Sequence, residues 1–111
     1  MTTVHDKVVL VLATLTPRAG QLETVLDLAQ PVIAYAAEDE IGCFEFSVFA
    51  EIKPDGVEQL FTIERFRDEE TLELHQSNSA LSAFKRAVVE RDLLQEDIVT
   101  KVVRSVAGFR V

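Results

Sequence analysis

Residues 42–84 read GCFEFSVFAEIKPDGVEQLFTIERFRDEETLELHQSNSALSAF, and their pattern decides the fold. Cys43 to Ile52 alternates as a strand, with Phe44, Phe46 and Val48 expected on one face and Glu45, Ser47 and Phe49 on the other. Lys53-Pro54-Asp55-Gly56 supplies a turn, because proline presets φ and glycine accepts positive φ. Glu58 to Arg67 then returns as a second strand, with Leu60, Thr62, Glu64 and Phe66 pointing one way. Asp68 is a helix N-cap, and Glu69 and Glu70 complement the positive end of the helix that follows. Leu72 and His75, three residues apart, share one face of that helix. Ser77-Asn78-Ser79 interrupts it with capping residues. A further helical stretch follows, with Leu81, Phe84 and Val88 inward and Lys85, Arg86, Glu90 and Arg91 outward.

Before this run, Val8 to Leu15 is apolar on both faces and suits a strand covered on both sides. Thr16-Pro17 has the chemistry of a helix start, and a helix is expected from there to about Glu38. Pro31 should kink or split it. After the run, Ile98 to Val106 alternates as a last strand. The order is βαββαβ, an α+β ferredoxin-like arrangement: a four-stranded antiparallel sheet with its helices on one face. Residues 1–7 are expected to form an N-terminal tail, with His5 in it, residues 8–107 the folded domain and residues 108–111 a short C-terminal tail. Both strand faces are apolar and the helices cover only one, so a homodimer through the other sheet face is expected.

The chain has 111 residues and 48% hydrophobic residues, which fits one globular domain. Its net charge of −8 and the lack of a basic stripe argue against nucleic acid and anionic membranes. Cys43 is the one cysteine, so neither an intrachain disulfide nor a cysteine-cluster metal site is available. Without an apolar leader or a bilayer-length apolar run, a cytoplasmic protein is expected.

The polar residues that could carry chemistry in the quoted run are Glu64 and His75. An imidazole with an ordinary pKa of about 6.5 suits proton transfer at neutral pH. If the Glu64 face looks at the helices, the carboxylate can orient that ring or raise its basicity. The same pair could equally serve as a buried structural contact. Phe66 and Phe84 flank these elements and are candidates for a substrate wall, with Phe46 beside them. The acidic run Glu38-Asp39-Glu40 reads as solvated loop charge, and no metal-ligand spacing is present.

Taken together, Gly42-Cys43, Glu64-x-Phe66-x-Asp68, Leu72-x-x-His75, Ser77 with Ser79, Phe84 and Leu28-x-x-Pro31-x-Ile33 resemble the antibiotic biosynthesis monooxygenase family over about residues 8 to 107. The resemblance implies a dimeric α/β barrel with a pocket between sheet and helices for a small aromatic, quinol or polyketide-like substrate. It also implies oxidation by O2 with no cofactor, metal or flavin, and a catalytic role for His75 and Glu64. Isomerases, cyclases and non-catalytic members share the scaffold, so those readings stay open. The chain departs from its relatives at Ala80, where many quinol-oxidising members carry a second histidine. It departs again near Lys85 and Ala13, where haem-degrading members carry an axial histidine and an asparagine; a protonated amine is a poor iron ligand.

Overall fold

The computed structural model describes residues 7–111. The tail expected over residues 1–7, including His5, therefore lies almost wholly outside the described residues. The elements are β1 (Val9–Leu15), α1 (Leu22–Asp39), β2 (Cys43–Ala50), β3 (Leu60–Phe66), α2 (Glu69–Gln76), α3 (Ser79–Glu90) and β4 (Val99–Val103). The sheet order is β2-β3-β1-β4 with every neighbouring pair antiparallel, which is the ferredoxin-like topology expected from the strand and helix order.

One face of β3 organises the interior. Its inward residues are Leu60, Thr62, Glu64 and Phe66, all buried. Two apolar ends thus flank two polar middles, and the core divides accordingly. The larger cluster joins Leu15, Val25, Val32, Leu60, Phe84 and Val88. The smaller joins Val11, Phe66 and Leu72. Burying Glu64 inside such a sheet is costly unless every lone pair finds a partner, so the fold has to supply them at that position.

The local structure departs from the sequence reading in four places. The first helix starts at Leu22, not at Thr16-Pro17. Instead, Pro17 bridges to Leu94, the Arg18 amide donates to the Leu93 carbonyl at 2.8 Å, and the Gln95 amide donates to the Thr16 carbonyl at 2.7 Å. That tertiary pairing outcompetes the local cap, and Gly20 at φ +79° turns the chain into the helix. Pro31 does not split α1: it lies on the exposed side, where a carbonyl left without its donor can face water. Phe44 does not share a face with Phe46. A β-bulge between Cys43 and Glu45 inserts one residue, and Phe44 turns outward at 57% exposure. The last strand is shorter than expected, ending at Val103.

Asp68 and Thr71 form a capping box at the start of α2: the Thr71 amide donates to Asp68 Oδ1 at 2.9 Å, and the Asp68 amide donates to Thr71 Oγ1 at 3.1 Å. Gly42 sits against this cap at φ +98°, and a Cβ there would meet Thr71 Cγ2 at 2.6 Å. Gly42→Ala should therefore cost about 1–3 kcal/mol in urea unfolding, from left-handed strain plus the clash. Gly56, with nothing within 4 Å of such a Cβ, serves as the control. Equal effects of the two substitutions would contradict this reading.

Candidate active site

The structure brings Glu64 and His75 together. Glu64 Oε1 is 3.3 Å from His75 Nε2. The other ring nitrogen, Nδ1, is 2.8 Å from Glu40 Oε1 and 3.1 Å from Glu40 Oε2. The imidazole is 3% exposed and lies between two carboxylates. Phe66 packs on it at a ring-centroid distance of 5.0 Å and Phe46 at 5.7 Å. Glu40 is thus not the solvated loop charge that its acidic run suggested. It is the residue just after α1, where the chain turns toward β2, and this places its carboxylate under α2.

Backbone amides fix the direction of the hydrogen bonds at both ends of this network. The Ala13 amide donates to Thr62 Oγ1 at 3.2 Å, which leaves the hydroxyl proton free to be donated to Glu64 Oε2 at 2.7 Å. At the opposite end, the Leu81 amide donates to Asn78 Oδ1 at 2.7 Å. That fixes the orientation of the side-chain amide, whose Nδ2 donates to Glu40 Oε2 and to the His75 carbonyl, each at 3.0 Å. Each carboxylate thus accepts at its Oε2, and with both ionised each also accepts from the ring, so that both ring nitrogens donate. That arrangement, an imidazolium between two carboxylates, satisfies every bond in the network.

The electrostatics agree. Burial alone would pull the His75 pKa down, but the hydrogen bonds to Glu64 and Glu40, with their negative charges, outweigh it and hold it above the ordinary imidazole value. Cys43, close by, goes the other way: burial first, then the Glu40 charge, push its thiol up to about 11, so it is no nucleophile at neutral pH. The two carboxylates sit on opposite ring nitrogens, so the trio forms a line and not a cage. Among the described residues no group of three His, Cys, Asp or Glu side chains is placed to hold one metal ion.

Glu64, Thr62 and His75 form the polar floor of a cavity of about 110 Å³ between the sheet and the helices. Its walls are apolar and include Val25, Val32, Leu60 and Ile98. Phe46 and Phe84 also line it. Phe66 does not. It is 0% exposed and belongs to the smaller core cluster, where it supports the ring of His75 from behind.

The family model for antibiotic biosynthesis monooxygenases matches residues 8–87. The chain belongs to this family. No protein with a curated description matches it. Among solved structures, Rv0793 from Mycobacterium tuberculosis is similar with 25% identity, a TM-score of 0.76, and coverage of 91% of this chain and 97% of that one. A conserved protein from Methanosarcina mazei Go1 shares 19% identity at a TM-score of 0.79, covering 91% and 95%. A Caulobacter crescentus protein provisionally described as an antibiotic biosynthesis monooxygenase shares 16% identity at a TM-score of 0.80, covering 91% and 92%. These structures share the fold, and the chemistry has to be argued from the site.

Within this antibiotic biosynthesis monooxygenase scaffold, the sequence pattern pointed to Glu64 and His75 but passed over Glu40 and the linking role of Asn78. One signal was present. Asn78 stands at the start of α3, and a capping asparagine leaves its amide nitrogen free for a second partner. Nothing in the local pattern marks Glu40, because its partner is 35 residues away.

The pH dependence follows from the raised His75 pKa. Its stabilising contribution is full below about pH 6.5, the unfolded value, and is lost as pH rises through the higher folded value. Glu40→Gln removes one of the raising partners. It should lower the His75 pKa in an NMR titration and destabilise the fold by about 2–3 kcal/mol near neutral pH. An unchanged His75 titration would contradict the imidazolium assignment.

Proposed function

We propose that this protein is a cofactor-independent monooxygenase acting on a single-ring phenol or quinol bound above Glu64. The observation that carries the reading is a buried carboxylate at the floor of an otherwise apolar cavity of about 110 Å³. An apolar cavity of about 150 Å³ accommodates benzene, so a space of this order, open at one side, suits one ring.

In this reading Glu64 accepts the phenolic proton, and His75 does not act as the first base. Both of its nitrogens already donate, so its role is to hold Glu64 and to stabilise the phenolate with a fixed positive charge. The electron-rich ring then reduces O2 and forms a carbon–oxygen bond. The imidazolium, which also lines the cavity, is placed to protonate the resulting peroxide. Loss of water breaks the O–O bond while the ring C–H proton departs. Phenol plus O2 gives quinone plus water, with all four electrons supplied by the substrate, so the balance needs no external reductant. The apolar walls exclude water, and Phe46 and Phe84 orient the ring.

An isomerase or cyclase would use the same proton transfers without consuming oxygen, and a non-catalytic binding module would use only the cavity. Oxygen uptake with substituted phenols and quinols separates the three. Under the monooxygenase reading, Glu64→Gln lowers kcat by about 10²–10⁴-fold while circular dichroism shows a retained fold. Turnover that persists without oxygen assigns the same residues to isomerisation. Full activity in Glu64→Gln removes the carboxylate from the mechanism.

The outer sheet face supports a homodimer. Leu12, Phe44, Phe49, Phe61 and Val99 are 37–57% exposed there. A patch of this kind on a small domain is the sort of surface that a two-fold partner covers. Light scattering should give a dimer for the native chain and a folded monomer for Phe61→Asp. A monomeric native chain at micromolar concentration would contradict the dimer. The cytoplasm remains the compartment proposed; no helix of the described residues is long and apolar enough to cross a membrane.

A further inference from the structure

The cavity has a second polar feature at its other limit. Of the residues lining it, Glu64, Thr62 and His75 are buried, whereas Gln76, Lys85 and Thr100 are exposed and mark the mouth. Besides the buried ring of His75, Lys85 is the one cation among the described residues that line the cavity. Its charge is not spent on its own helix. The positions three and four away on α3 are Leu81, Ser82, Val88 and Val89, none of them acidic. Among the described residues it makes no ion pair.

A neighbouring groove that Lys85 also borders contains Asp92, Glu96 and Asp97. Asp92 is held by Arg18 at 3.0 Å, and Glu96 accepts from the Thr16 hydroxyl at 2.9 Å. The lysine stands between that groove and the apolar cavity, and none of the three acids is within ion-pair distance of its ammonium. The space inside takes about one ring, so a substituent that points away from Glu64 leads toward the mouth, which Lys85 borders. An ammonium at this point favours a negative substituent and also offsets locally the repulsion that the net charge of −8 exerts on an anion.

We propose that the substrate is a single-ring phenol carrying an anionic substituent, with its hydroxyl directed to Glu64 and its anion held by Lys85 at the cavity mouth. The hydroxyl end of this assignment rests on the monooxygenase reading; the anion end rests on Lys85 alone. The long, flexible lysine stem lets the ammonium follow ring substituents of different length, so Lys85 selects for charge more than for geometry.

The test is a calorimetric titration under nitrogen, which removes turnover from the readout. The probes are 4-hydroxyphenylacetate and its neutral counterpart 4-hydroxyphenylacetamide. The native protein should bind the carboxylate roughly tenfold more tightly than the amide at low salt, with the preference shrinking as salt is added. Lys85→Gln should abolish the preference and leave amide binding unchanged. Lys53→Gln, in the β2–β3 connection, should leave the preference intact. Equal binding of the two probes, a preference that survives in Lys85→Gln, or failure of both probes to bind would each overturn the proposal. Turnover of the phenol that persists without oxygen would instead sink the monooxygenase reading. It would leave the Lys85-dependent preference in place, so the two failures are distinguishable.

Discussion

The imidazole of His75, clamped between the carboxylates of Glu40 and Glu64, is the contact on which the site depends. It joins three elements that are distant in sequence: the end of α1, the middle of β3 and the end of α2. Each bond alone is modest, but all lie where water is largely excluded, so an unmet partner would be expensive. The network has no such orphan: among the described residues every buried side-chain nitrogen and oxygen has a partner. Its ends are anchored by the backbone amides of Ala13 and Leu81, so the sheet and the start of α3 determine which way the protons point.

This constraint explains why the core is split and why a cavity remains. Thr62 and Glu64 occupy the two central inward positions of β3, where apolar side chains would otherwise join the two clusters. The polar pair needs donors rather than packing partners, and the space above it stays open to a ligand. Phe66 then becomes a support for the imidazole, and Phe46 touches the ring and lines the cavity at once. A site on a strand and a helix, backed by buried hydrogen bonds, is held more precisely than one on loops.

Most of the architecture was legible from residue periodicity. The alternation of β3 identified Leu60, Thr62, Glu64 and Phe66 as one face, and the Asp68 cap and the Ser77-Asn78-Ser79 break located α2 and α3. What escaped the pattern lies in distant partners and local irregularities that strand and helix periodicity does not record. Thr16-Pro17 looks like a helix start but pairs with Leu93–Gln95. Phe44 follows the strand alternation until a bulge turns it outward. Glu40 sits in an acidic run that reads as solvent-facing, yet its carboxylate is buried against a histidine on another helix. That last contact also changes the chemistry, because a histidine with one carboxylate can be a base, whereas one with two is held as an acid.

The protonation of His75 is therefore the point on which the mechanism turns. Nitrogen-15 NMR of the imidazole at neutral pH reports each ring nitrogen separately. An imidazolium held between Glu40 and Glu64 gives two protonated-nitrogen signals for His75 at a pH where an ordinary, exposed histidine is mostly neutral. One protonated and one unprotonated nitrogen would contradict it and return His75 to the role of a free base.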